Sequence, residues 1–235
     1  MAIYIFTTHK KGISSYQLAR DLSITQKTGW FVLHRLRYAM SHKGLFEYYN
    51  TGEFEVDEAY IGGKLENKHR QGKDTHGLEG FKPRTQAIVF GMVQRGGNVY
   101  LTHIPKANKK TIEPIIAKVA NKGSVINSDE HSAYGLLSKN YVHQTVIHSN
   151  WEYVRGSVHT NTIEGVWSLL KRGIYGIYHQ TSKKHLQAYC DEFSFRHNRR
   201  KYSEYNKVNA CLLASTKGSL KYKTLVNKGG ENAQI

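Results

Sequence analysis

Three acidic residues stand where a carboxylate needs a reason. Asp57 lies within Glu53-Phe54-Glu55-Val56-Asp57-Glu58-Ala59-Tyr60-Ile61-Gly62-Gly63, where β-formers alternate with polar residues and a Gly-Gly pair ends the run. An acid inside a strand is costly unless it is solvated, paired or given a cation. Asp129 ends the short apolar run Ser124-Val125-Ile126-Asn127-Ser128, and Glu164 opens a helical pattern after Asn161. Carboxylates on three separate elements are the hard oxygen ligands that Mg²⁺ prefers, with Mn²⁺ as a substitute. Two such ions, roughly 3.5–4 Å apart, stabilise both the attacking and the leaving oxygen of an in-line phosphoryl displacement.

Each residue also has an ordinary reading. Asn161-x-x-Glu164 is close to a capping box, in which Glu needs no catalytic role. Against this, Ile163, Val166, Trp167, Leu170 and Ile174 form one helical stripe, and Glu164, Ser168, Lys171 and Arg172 fall on the opposite face. An acid and two bases on one exposed face suit a cation beside a phosphate backbone. Asp57 and Glu58 point to opposite faces of their strand, which separates them without choosing between them. His131, His143, His148 and His159 lack zinc-type spacing.

The elements that must position these residues follow from periodicity and caps. Ala2 to Phe6 is a short apolar stretch that reads as a helix needing a partner. Ser14-Ser15 caps a helix carrying Leu18, Ala19 and Leu22, and Thr25 caps a second from Gln26 to about Met40. With Lys27, His34, Arg35 and Arg37 on the second helix, the pair reads as a helix-turn-helix, and Lys27, Arg35 and Arg37 are its candidate DNA contacts. Residues 44–52 are a linker and 64–83 a long polar, basic loop. Gln86 to Gln94 and Val99 to Ile104 form a hairpin across Arg95-Gly96-Gly97-Asn98. A helix follows from Asn108 to about Asn121, then strands ending at Asp129 and over 142–148, a loop over 149–160, helices to about Tyr202, and a further helix over 205–216. A helix linking strands implies an α/β architecture, a mixed sheet with helices packed on it. The expected domains are 1–44, helical and DNA-binding; 45–216, catalytic; and 217–235, a basic flexible tail.

Composition narrows the partner. The 235 residues carry 34 Lys and Arg against 18 Asp and Glu, a formal net charge of +16. Such an excess favours a polyanion, of which nucleic acid is the commonest. The two cysteines, Cys190 and Cys211, form no CxxC and suit a reducing cytoplasm. No apolar run has the length of a membrane span, and no signal peptide opens the chain.

These residues carry a resemblance. The 34 residues 130–163 separate Asp129 from Glu164, and Lys171 follows seven further on. This is similar to the D, D, 34, E pattern of DDE transposases and retroviral integrases, which have a ribonuclease-H-like fold. Val56-Asp57-Glu58-Ala59-Tyr60-Ile61-Gly62-Gly63-Lys64, Ser128-Asp129-Glu130-His131-Ser132-Ala133-Tyr134, His159-Thr160-Asn161-Thr162-Ile163-Glu164-Gly165 and Glu192-Phe193-Ser194-Phe195-Arg196-His197-Asn198-Arg199-Arg200 resemble the bacterial insertion-sequence transposases of the ISXO-type group. Lys11 to Met40 resembles the segment before that group's catalytic domain. Members usually carry an N-terminal zinc ribbon, and the expectation here is of a shortened copy without one.

The resemblance implies a ribonuclease-H-like sheet. It implies Asp57, Asp129 and Glu164 as catalytic ligands of two Mg²⁺ ions, with Asp57 bridging both. Lys171, with Arg172 beside it, would contact DNA phosphate, and His159 and Asn161 would support the site. It selects Asp57 over Glu58, which becomes a structural or supporting acid. The implied activity frees a 3′-hydroxyl at a transposon end and directs it at target DNA. Double-stranded DNA is the implied partner, with the protein a homo-oligomer on DNA, located with the bacterial nucleoid in the cytoplasm. The competing readings are a truncated DNA-binding relic or regulator without chemistry, and a simple nuclease.

Overall fold

The computed structural model describes residues 1–41, 51–62, 86–130, 132–135, 137–147, 154–156, 158–179, 181–216 and 218–227. The expected linker at 44–52, apart from its last two residues, and the long loop at 64–83 lie outside the described residues. So do His131, His148 and the end of the expected tail.

Strand β1 (Glu53–Ile61) is the organising element, as its alternation predicts. It pairs antiparallel with β2 (Ala87–Gln94), which pairs antiparallel with β3 (Val99–Ile104) across the expected hairpin. On its other side β1 pairs parallel with β4 (Val125–Ser128), and β4 with β5 (Val142–Thr145). The order β3-β2-β1-β4-β5 makes β1 central. This mixed sheet is consistent with a ribonuclease-H-like fold.

The two-residue period of β1 sorts its side chains. Phe54 and Val56 join Phe90, Met92 and Ile126 in a core covered by Ile112 and Ile116 of α4 (Lys109–Val119). Asn108 caps α4 by accepting from the Thr111 amide at 3.0 Å. On the opposite face Ala59, Ile61, Val89 and Leu101 meet α5 (Asn161–Gly176) and α6 (Lys183–Asn198). The α5 stripe read from the sequence is the buried one: Ile163, Val166, Trp167, Leu170 and Ile174 are each at most 5 % exposed. A two-stranded ribbon, β6 (Val154–Arg155) and β7 (Val158–His159), occupies part of the stretch expected to be loop and leads into α5.

The N-terminal helices are α1 (Ala2–Thr8), α2 (Ser15–Asp21) and α3 (Gln26–Met40). Ser14 caps α2 and Thr25 caps α3, each accepting an amide hydrogen bond three residues on. Phe6, Leu18, Leu33, Leu36 and Met40 share a third core with Phe195 of α6 and Cys211 of α7 (Glu204–Ser215). The N-terminal helices are thus packed on the helices that follow the sheet. Within the stretch expected as a tail, α8 (Tyr222–Val226) docks: Leu225 is buried, and the Lys184 ammonium donates to the Leu225 and Asn227 carbonyls.

Candidate active site

Asp57 faces α5, and its carboxylate is held at both oxygens. The Trp167 indole N–H donates to Oδ2 at 2.8 Å and the Glu58 backbone N–H to Oδ1 at 2.7 Å. Trp167 reaches it because Gly91 sits opposite Asp57 in the β1–β2 register. A Cβ at Gly91 would stand 2.4 Å from the Trp167 ring and 2.9 Å from Ile163.

Burial pushes the Asp57 carboxyl up to about 6 against the two hydrogen bonds, and the charges of Asp129 and Glu164 push it the same way. The three acids therefore share one electrostatic neighbourhood, although they come from the middle of β1, the residue after β4 and the first turn of α5. Each contributes oxygen donors only, and the negative charge pressing on Asp57 is what a divalent cation would relieve. The donor set fits Mg²⁺ or Mn²⁺ by its chemistry. Among the described residues no group of three or more His, Cys, Asp or Glu side chains is arranged so as to hold a metal ion.

Glu58 turns to the α4 face, as alternation requires, and accepts from the Tyr134 hydroxyl at 2.7 Å. Burial raises its pKa to about 7; the charges of Asp57 and Asp129 add to this and the tyrosine opposes it. It thus feels the charges of Asp57 and Asp129 although it lies on the other face of the sheet from Asp57.

Glu55 is the residue that sequence reasoning passed over. It lies two residues before Asp57 on the same face and is fully buried. Its carboxylate accepts from the Thr162 amide at 2.8 Å, the Ile163 amide at 3.0 Å and the Thr162 hydroxyl at 2.8 Å. These are the free amides of the first turn of α5, the positive end of the helix dipole. The Arg95 guanidinium donates to Glu55 at 2.9 Å, to Glu53, and to the His159 carbonyl at 3.1 Å. Glu55 and Arg95 therefore tie the Asp57 strand to the Glu164 helix. The available signal was a second acid in phase with Asp57.

The capping box expected from Asn161-x-x-Glu164 does not form. Thr160 is the cap residue and makes no side-chain cap; its hydroxyl instead donates to Glu164 Oε1 at 3.3 Å. Glu55 does the capping, so the Glu164 carboxylate stays exposed at the helix surface. Asn161 is exposed at the first position of α5. His159 brings Nδ1 within 3.3 Å of Glu55 without a well-directed hydrogen bond. His143 bonds Ser128 through Nε2 at 2.8 Å.

Lys171 and Arg172 are exposed on the Glu164 side of α5. Lys27 and Arg35 are exposed on α3, beside the rings of Tyr222 and Phe31. Arg37, expected to reach DNA with them, does not: it is 1 % exposed, and its Nε donates to the buried Glu192 carboxylate at 2.7 Å. Its guanidinium lies 4.1 Å from the centre of the Tyr189 ring and 5.0 Å from that of Tyr178. A buried arginine so enclosed is a structural ion pair.

The mixed sheet flanked by helices is consistent with a ribonuclease-H-like domain, and comparison with known proteins narrows this. The chain belongs to the ISXO2-like transposase domain family, which it matches over residues 51–198, more than half its length. It is also similar to an uncharacterized protein in transposable element ISH50 of Halobacterium salinarum. That protein is 25% identical over 201 residues, covering 82% of this chain and 67% of the other. No solved structure matches the chain. Family membership supports a role in transposition and implies DNA as the partner. Among the described residues no helix is long and apolar enough to cross a membrane.

Proposed function

We propose that the chain is a DNA transposase whose Asp57, Asp129 and Glu164 form a metal-dependent phosphoryl-transfer site. The observation that carries this reading is the placement of the three acids in the middle of β1, just after β4 and in the first turn of α5, in a chain of the transposase family. Asp57, Asp129 and Glu164 would hold two divalent cations, Mg²⁺ with Mn²⁺ as a substitute, which supply positive charge at the attacking and leaving oxygens.

The chain's own residues do the positioning. Trp167 and the Glu58 amide fix the Asp57 carboxylate, and Glu55 and Arg95 fix the first turn of α5. Lys171 and Arg172 extend from the same helix as Glu164 and would seat the phosphate flanking the scissile bond. In the first step a water oxygen bonds to phosphorus and the P–O3′ bond breaks, leaving a 3′-hydroxyl on the transposon end. In the second that hydroxyl attacks a target phosphorus and displaces the target's own 3′ oxygen. Neither step needs a covalent protein intermediate. Joining requires two ends held together, so the working form is a dimer or larger assembly on DNA. Lys27 and Arg35 on α3 add duplex contacts.

The test is substitution with retained shape. Asp57→Asn, Asp129→Asn and Glu164→Gln should each lower Mg²⁺-dependent cleavage of transposon-end DNA on the order of 10²–10³-fold or more, with DNA affinity kept. Wild-type cleavage by any one of them removes that residue from the site. A wild-type chain that binds DNA and never cleaves it would be a binder without chemistry.

A further inference from the structure

The run Glu192 to Arg200 takes no part in the three-acid site, yet it builds one wall of a cavity of about 420 Å³. Lys10, Lys11, Arg196, Arg199, Arg200 and Lys207 line this cavity, and no acid does. Val166 and Leu169 of α5 complete the wall, so the cavity and Glu164 share a helix. Leu169 is 42% exposed beside it.

The cations are set in place by the fold. Glu192, fully buried, faces both Arg37 and Arg196, so one negative charge serves two positive ones. Arg196 also donates to the Phe6 carbonyl at 2.9 Å and the His9 carbonyl at 2.6 Å, which anchors the turn that bears Lys10 and Lys11. Gly12 closes that turn at φ +99°, where a Cβ would stand 2.0 Å from the Tyr178 hydroxyl, itself bonded to Glu192 at 2.7 Å. The carbonyls of Gly97 and His197 aim Arg200. Lys10 and Lys11 are exposed and have no acid partner among the described residues. Lys207, whose side chain is 14% exposed, pairs with the 48% exposed Glu204.

We propose that this cavity is a second DNA contact, taking phosphodiester oxygens on the side of α5 turned away from Glu164. Arg196 spends its donors on Glu192, Phe6 and His9 and acts as a fixed positive charge, while the exposed Lys10 and Lys11 supply the ammonium groups that can reach phosphate. The proposal rests on the transposase reading for its choice of DNA as the polyanion, and it locates part of the affinity away from the three acids.

The experiment is a salt series on the full chain, with a short labelled duplex and the matching single strand as probes. The variant is Lys10→Gln with Lys11→Gln. The charge-matched control is Lys110→Gln with Lys118→Gln, exposed on α4 across the sheet. The cavity variant should weaken binding about 10-fold and lower the salt slope by about 2, one per lost phosphate contact. The control should move neither, and Lys10→Arg with Lys11→Arg should restore both. The probe with the larger loss identifies the form of DNA that occupies the cavity. Lys207→Gln, from a different element, should act in the same direction; wild-type behaviour there overturns the cavity as a single site. A Lys10/Lys11 variant indistinguishable from wild type, or from the α4 control, overturns the proposal and leaves the transposase reading standing. A wild-type chain that binds neither probe removes both.

Discussion

Asp57 shows how much one residue's role depends on partners it cannot specify. Strand alternation places it opposite Glu58, but its two oxygens are set by Trp167, 110 residues later, and by the next amide in the chain. The indole can cross to it only over a glycine, and Gly91 supplies that gap. Gly91→Ala should push Trp167 off Asp57, because a Cβ at 2.4 Å from a ring must displace it. The expected results are a shifted Trp167 indole N–H resonance, a stability loss of about 1–3 kcal/mol, and weaker cleavage with DNA binding intact. An unmoved indole resonance with full cleavage would show that Trp167 does not orient the acid.

Among the elements, α5 was the most legible and also the most instructive. Its apolar stripe, polar face and start were all readable from period and composition. Its cap was not, because Glu55 caps it from a strand 107 residues earlier. A local motif, Asn161-x-x-Glu164, stood in for the true cap, and the structure leaves Glu164 free of that duty. Glu55→Ala should cost roughly 2–4 kcal/mol, because it uncaps α5 and removes one of the two carboxylates that face the part-buried Arg95. Glu55→Gln should cost less, since an amide oxygen still accepts. Chemical denaturation measures both, and equal losses would mean that the charge on Glu55 is immaterial.

Helix α6 was harder to read, because it is buried on two sides. Leu186, Cys190 and Phe193 face the sheet while Phe195 faces the N-terminal helices, so no single stripe results. Its polar residues also work: Gln187 and Asn198 hydrogen-bond the free edge of β3 at His103 and Val99. Covering an edge strand in this way blocks unwanted pairing.

At the scale of the whole molecule, the N-terminal helices are joined to α6 by a buried ion pair as well as by shared apolar surface. His34 lies in that joint, 2 % exposed, beside Trp30, His185 and Tyr189. Burial drives its pKa down to about 3, the charges of Arg37 and His185 add to this, and Glu192 opposes it. A histidine held neutral in this way supports folding fully above its unfolded value near 6.5. That support is lost as pH falls towards 3, because only the unfolded chain takes up the proton. Between pH 6.5 and 4.5 the loss should amount to about 2 kcal/mol. Thermal melts of wild type and His34→Phe over this range test it: the variant's curve should be the flatter, and parallel curves would place the acid sensitivity elsewhere.

By itself the sequence determined the helices α1 to α4 and the strands β1 to β5, the caps at Ser14, Thr25 and Asn108, the buried stripe of α5, the opposed faces of Asp57 and Glu58, and the resemblance to insertion-sequence transposases, but not the β6–β7 ribbon or α8. These follow from periodicity and neighbouring residue types, which are local. Only the tertiary structure decided that Arg37 is a buried partner of Glu192 rather than a DNA contact, that Glu55 and not Asn161 or Glu164 caps α5, and that Lys10 and Lys11 join the Arg196–Arg200 run around one cavity. Each depends on residues brought together across the chain, 155 positions apart for Arg37 and Glu192. A period along the sequence states which face a side chain occupies, and carries no information about what that face will meet.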